Sequence, residues 1–183
     1  MNNLLQELRS ATSILHRELD GLVPDPASGR AAYGDYLSRF HDGLTASWPM
    51  LDWGKLDGMS LPEAAQRKQR YHSLGMDLDR LGIPHDALPD HNGAAAATST
   101  GCLYVLEGSI HGGQVLLAGL AGCGDLPDDC LSFLRGFGDD NRRMWSSFTG
   151  WLTSPDTTPE FIAAARDAAM RTFTHFIHSF GQH

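Results

Sequence analysis

The sequence predicts an all-α fold in a single domain that spans residues 1–183. Apolar residues recur at the three- and four-residue spacing of amphipathic helices, and the period-two alternation of a half-buried strand is absent. The length of 183 residues is close to one average domain, and the apolar content of 42% is enough to fill one core. No internal repeat is present. These observations favour a helical bundle.

Helix-end signals place the elements of the first half. The first helix begins near Leu4 and is expected to end at Asp20-Gly21, ahead of two prolines. The second has an aromatic-rich apolar stripe over residues 33–48, with Ser28 as its expected N-cap. A loop is then expected through residues 57–58.

The third predicted helix is basic and begins at a capping box. Ser60 and Glu63 have the spacing at which a hydroxyl and a carboxylate cap the same helix start. The pattern fades at Gly82, a residue type that commonly follows the last helical turn.

Three further helical patterns fill the second half. A long alanine- and glycine-rich run extends over residues 94–121. One or two helices follow, interrupted at Gly136 and Gly138. The sequence Thr158-Pro159-Glu160 begins the last helix, because threonine caps well and proline fits the first helical position.

Charge and composition argue against several classes of partner. The chain has 22 acidic and 14 basic side chains, and its net charge of -8 repels nucleic-acid phosphates. No apolar run is long enough for a membrane span, and no signal-peptide pattern opens the chain, so a cytoplasmic location is expected.

Cys102, Cys123 and Cys130 show no CxxC spacing, and we expect reduced, buried thiols.

Glycines define one face of the alanine- and glycine-rich helix. Gly101, Gly108, Gly112 and Gly119 are separated by seven, four and seven residues, and Gly113 is a fifth glycine inside the helix. Each interior glycine costs roughly 0.5–1 kcal/mol relative to alanine. A close approach must therefore offset this cost, and the spacing leaves two partners open. One is a neighbouring helix, and the other is a flat ligand.

A histidine on the first helix is the second clue to function. His16 lies at the edge of the apolar stripe, beside Thr12, where it is either a hydrogen-bonded core residue or a metal ligand. One imidazole and one face without side chains would together form a slot for a planar metallated macrocycle.

Two motifs resemble those of a known family. Residues 8–19 (LRSATSILHREL) resemble the N-terminal signature of heme oxygenases, and residues 104–114 (YVLEGSIHGGQ) are similar to their kinked distal helix. The likeness extends in family order through residues 67–82, 133–148 and 172–173, and it is greatest to the bacterial biliverdin-producing type associated with bacteriophytochromes. It implies a heme-oxygenase-like bundle that holds heme between the first helix and the glycine-rich distal helix.

The resemblance assigns roles to residues of both motifs. His16 is implied as the proximal iron ligand, and Thr12 lies beside it in the same motif. Gly108 and Gly112 are implied to contact the porphyrin and to leave room for oxygen, and Gly113 follows them at the heme surface.

Basic residues are implied as partners of the heme propionates. Arg9 matches a position that is basic in the family, and Arg142 or Arg143 lies in the segment that supplies further contacts. The resemblance does not choose between these two, and either is also compatible with a solvated surface position. Ser146 stands after Trp145, where a basic residue is expected.

Two departures concern proton supply. Ser109 replaces a carboxylate that helps to order a water chain, so its hydroxyl would have to act within that chain. His111 stands where a small or apolar residue is usual, and we expect it to pack beside Tyr104 and to matter less than Ser109.

The implied activity is oxidative opening of heme to biliverdin, with release of iron and carbon monoxide. Heme is both cofactor and substrate, and molecular oxygen is the co-substrate. Because no GxGxxG fingerprint is present, electrons are expected from an external donor such as a ferredoxin or a reductase. A bacteriophytochrome is the implied acceptor of biliverdin.

Other classes of function give different expectations. A non-catalytic heme carrier or sensor would keep the pocket without turnover, and a cofactor-free interaction module would bind no heme. A di-iron carboxylate protein is disfavoured, because no Glu-x-x-His pair occurs in the sequence.

Overall fold

The computed structural model describes residues 4–24, 29–89, 93–120, 126–153 and 157–182. Within these segments the chain forms α-helices and short 3₁₀ turns, and no strand is present, which confirms the all-α prediction. The helices are α1 (Leu4–Leu22), α2 (Arg30–Ser47), α3 (Trp53–Gly58), α4 (Ala64–Leu81), α5 (Ala96–Leu120), α6 (Ser132–Arg135), α7 (Asn141–Thr153) and α8 (Pro159–Gly181).

Two predicted helix ends are confirmed. The Thr158 side chain accepts a hydrogen bond of 3.2 Å from the Phe161 backbone N–H, and Pro159 occupies the first turn of α8. Gly82 ends α4 in a left-handed conformation with φ 73°, which glycine adopts without steric cost.

Two expected boundaries in the first half differ in the structure. Helix α1 continues through Leu22, past its expected end at Asp20, because Pro24 constrains only the residue before it. The segment expected to be a loop contains α3, which Asp52 caps by accepting a hydrogen bond from the Lys55 N–H. Ser28 lies outside the described residues.

The predicted capping box before α4 is wrong. Glu63 immediately precedes the helix in a left-handed conformation, with φ 53°. Its carboxylate accepts hydrogen bonds from Arg143 and Ser147 and does not reach the helix start. The Glu63 carboxylate therefore binds side chains of α7 and does not cap the start of α4.

Helix α8 organises the core. It packs against α1, α2 and α5, and Phe176 meets Phe40 of α2 with ring centroids 4.8 Å apart. Helices α1 and α5 make little direct contact with each other, so a gap remains between them on the surface of α8. No helix in the described segments is long and apolar enough to cross a membrane.

A buried ion pair fixes α4 against α5. Arg67 donates to the Glu107 carboxylate, and both side chains are fully buried. Tyr71 donates a 2.7 Å hydrogen bond to the same carboxylate, and Arg67 also donates to the backbone carbonyls of Pro62 and Met144, each at 2.8 Å. Glu107 directly precedes Gly108, so the pair fixes the position of α5 at this glycine.

The thiols within the described residues are free and buried. Burial raises the pKa of the Cys102 thiol to about 12 and also raises the pKa of Cys130. These two cysteines fit the expectation of reduced, inert thiols. Cys123 lies outside the described residues.

Candidate active site

A cavity of about 700 Å³ lies between α1, α5 and α8, and side chains of α2 and α7 complete its walls. This volume is within the range of roughly 300–1,000 Å³ that is typical of small-molecule and cofactor sites. Most of its lining is apolar. These side chains include Leu19, Val23, Phe40, Leu106, Val115, Leu116, Phe173, Phe176 and Phe180.

The glycines of α5 divide between two environments. Gly108 and Gly112 line the cavity, and a Cβ atom added to either would meet no atom within 4 Å. A Cβ atom on Gly101 would lie 1.9 Å from the carbonyl oxygen of Ala165 in α8. Both explanations of the glycine face therefore hold, each for different residues: Gly101 permits helix packing, and Gly108 and Gly112 leave open space.

The two remaining glycines of the face lie away from the cavity. Gly113 is buried, and a Cβ atom there would meet Leu134 at 3.5 Å, which is ordinary packing contact. Gly119 is exposed and is the penultimate residue of α5.

His16 and Asp20 form a pair on α1 at the cavity wall. The His16 Nδ1 atom lies 2.9 Å from an Asp20 carboxylate oxygen, and the imidazole also meets the Phe173 ring at 5.7 Å between centroids. Because a carboxylate only accepts, Nδ1 carries the hydrogen, and in the neutral ring Nε2 then keeps a free lone pair. The His16 side chain is 62% exposed, which excludes the buried-core alternative.

Asp20 was missed as a functional residue by the sequence reasoning. In the sequence it marks only a helix end, although a carboxylate four residues after a histidine lies on the same helix face. That spacing was the available signal for a residue that orients the imidazole.

Thr12 and Arg9 adjoin the cavity through Tyr104. Thr12 is buried and donates its hydroxyl to the Leu8 carbonyl at 2.7 Å, whereas Arg9 is exposed. Tyr104 lines the cavity; burial raises its pKa, and the nearby Thr12 and Arg9 partly counter that rise. The structure therefore places both residues behind the lining and beside the Tyr104 hydroxyl.

The two α7 arginines lie outside the cavity lining. Arg143 donates to Glu63 at 2.6 Å and to Asp140 at 3.1 Å, so its guanidinium is already paired. Arg142 is exposed in a shallow surface depression that also contains Ser146. Trp145, between these two residues in sequence, does line the cavity.

Ser109 lines the cavity with its hydroxyl already engaged. Its Oγ donates to the Leu106 carbonyl at 2.6 Å and accepts from Arg70 Nη2 at 3.1 Å. A hydroxyl has one hydrogen and two acceptor positions, so a single acceptor position remains for the cavity.

Arg70 is a buried cation that sequence reasoning placed only within a basic helix. It is 4% exposed, lies 4.6 Å above the Phe133 ring centroid, and donates to the Leu106 carbonyl at 3.3 Å. Among the described residues, no carboxylate lies within ion-pair distance of it. It therefore brings positive charge next to Ser109.

His111 also lines the cavity, and its ring neighbour differs from the expected one. The imidazole meets Trp145 of α7 edge to face, with centroids 4.8 Å apart, in place of the expected packing beside Tyr104. The His111 Nδ1 atom lies 3.3 Å from the Gly108 carbonyl, and the residue is exposed.

Comparison with known proteins places this arrangement in a known fold. No protein-family model matches the sequence. No curated protein matches it either. Among solved structures, the chain is similar to the NO- and CO-bound heme oxygenase from Neisseria meningitidis, with a TM-score of 0.76 and 22% identity, over 100% of this chain and 94% of that chain. The chain therefore has the heme oxygenase fold.

Proposed function

We propose that this chain is a heme oxygenase, which opens heme to biliverdin with release of iron and carbon monoxide. The observation that carries the proposal is the shared cavity of His16, with its free Nε2 atom, and the open stretch at Gly108 and Gly112. An imidazole ligand beside a surface without side chains suits a planar iron macrocycle. The fold likeness supports the same assignment.

In this proposal, residues on each side of the cavity have a distinct role. His16 would hold the iron through Nε2, and Asp20 would orient the ring by accepting the Nδ1 hydrogen. Gly108 and Gly112 admit the flat ring and the oxygen beside it, while the aromatic side chains of α8 exclude water. The bound heme supplies the iron that activates oxygen.

Three basic residues outside the cavity lining are the proposed partners of the heme carboxylates. Arg9 lies beside Tyr104 and is exposed, so it can turn to a carboxylate without losing a buried partner. Arg142 is exposed on α7, near Trp145 in sequence. Arg143 would first have to break its hydrogen bond to Glu63, so we assign it a smaller contribution to binding the heme carboxylates.

The proposal also requires partners outside the chain. Electrons come from an external donor such as a ferredoxin or a reductase, because the reaction consumes reducing equivalents and the sequence carries no nicotinamide fingerprint. A bacteriophytochrome is the proposed acceptor of biliverdin.

Titration with ferric heme tests the site. We expect one heme per chain and an optical spectrum of imidazole ligation in the wild type. The His16→Ala variant should lose that spectrum, and added imidazole should partly restore it by filling the space left by the side chain. His72→Ala is the matched control, because His72 is exposed on α4 and away from the cavity. An unchanged spectrum in His16→Ala would contradict the assignment.

A heme carrier or sensor is the second candidate. The observation that favours it is that Ser109 stands where a carboxylate is expected, and that the cationic Arg70 donates to its hydroxyl. Aerobic incubation of the heme complex with a reductant separates the two functions, since a carrier or sensor would leave the macrocycle intact.

A further inference from the structure

Five residues with titratable side chains line the cavity within the described parts of the chain. They are His16 and Asp20 of α1, Tyr36 of α2, and Tyr104 and His111 of α5. Four of them are either engaged in another contact or resist ionisation. His16 and Asp20 bind each other, and burial raises the pKa of both Tyr36 and Tyr104.

Ser109 does not fill this role either. Its only hydrogen is donated to the Leu106 carbonyl, and Arg70 occupies one of its acceptor positions. In this arrangement Ser109 can orient a water molecule by accepting a hydrogen bond from it, but it has no hydrogen to pass on.

The remaining group, His111, reaches both the solvent and the cavity. Donation of its Nδ1 hydrogen to the Gly108 carbonyl at 3.3 Å leaves the lone pair on Nε2. Trp145 of α7 holds the ring from its edge and is itself uncharged. Imidazole takes up and releases protons near neutral pH, unlike a serine hydroxyl.

We propose that His111 carries protons between solvent and the cavity. Nε2 accepts a proton from solvent and releases it to a water molecule in the cavity, which returns the ring to its neutral form without net proton consumption by the protein. Ser109 orients that water molecule. This inference rests on the proposed function and reverses the order of importance that the sequence suggested for these two residues.

Cyanide binding to the ferric heme complex tests proton transfer without turnover. Hydrogen cyanide must lose its proton as it binds the iron, so its association rate reports a nearby proton acceptor. We expect His111→Gln to lower this rate about tenfold, less than the loss of a direct general base because water still enters the cavity. The exposed His72→Gln serves as the control and should match the wild type.

Phosphate rescue in single-turnover heme opening gives the second readout. At constant pH and ionic strength, phosphate should accelerate His111→Ala and should leave the wild type unchanged, because phosphate replaces a missing proton carrier but not a lost fold. If His111→Gln weakens heme binding, phosphate rescue of His111→Ala still tests whether His111 carries protons.

The outcomes separate the inference from the proposed function. Wild-type cyanide rates in His111→Gln, or no phosphate rescue of His111→Ala, overturn the proton-carrier role alone when heme is still bound through His16. Failure of the wild type to bind heme through His16 overturns both proposals.

Discussion

Glycine has a different role in each half of α5. In the first half, Gly101 meets the Ala165 backbone and Glu107 is buried with Arg67, so both residues serve packing. In the second half, Gly108 and Gly112 face the cavity, and Val115 in its lining is 73% exposed. A regular glycine stripe therefore does not specify one partner; the element that lies opposite each glycine decides its role.

The largest expected effect is in the packed half. Glu107→Ala leaves the buried Arg67 guanidinium with only the partly exposed Glu63 carboxylate, 3.6 Å away, as a charge partner. Loss of one member of a buried pair costs about 3–5 kcal/mol. Chemical denaturation of the apo-protein would measure this loss in the free energy of unfolding. The double variant Arg67→Met with Glu107→Leu should recover much of it. A loss below about 1 kcal/mol in the single variant would mean that the pair does not fix α5 against α4.

Gly101→Ala should have the next largest effect on stability. The new Cβ atom would overlap the Ala165 carbonyl, and backbone atoms cannot move aside as a flexible side chain does. We expect about 2 kcal/mol of destabilisation, since overpacking of about 1–3 kcal/mol exceeds the gain in helix propensity. A rise in the thermal midpoint of the variant would show that α5 and α8 are not in close contact at this position.

Gly112→Leu should have the smallest effect on folding and a large effect on heme. The position has open space around an added Cβ atom, and leucine improves helix propensity by roughly 0.5–1 kcal/mol. The thermal midpoint should stay constant or rise, while heme affinity falls at least tenfold because the side chain fills the cavity. Destabilisation together with normal heme binding would assign Gly112 to the packed half instead.

Local patterns were sufficient for much of the fold. Apolar spacing predicted the long helices, and Thr158 and Gly82 marked two of their ends correctly because caps depend on near neighbours. The expected cap at Glu63 failed for the opposite reason. Arg143, 80 residues away, binds that carboxylate, and such pairing has no signal in local sequence.

In the candidate site, too, local sequence reveals neighbours on one helix but not contacts between helices. His16 and the open glycines followed from pattern and resemblance, and Asp20 could have been found from its four-residue spacing to His16. The contact of Arg70 with Ser109 joins residues 39 positions apart on two helices, and only tertiary packing brings them together.

The most direct test of the account is the identity of the pigment formed from bound heme. The wild-type heme complex would be supplied with oxygen and a reductant, catalase would be present to remove free peroxide, and the products would be separated by chromatography. We expect biliverdin in stoichiometric yield, released iron and carbon monoxide, and a much lower yield of all three from the Gly112→Leu variant. Recovery of intact heme from the fully reduced, aerobic wild-type complex would contradict it.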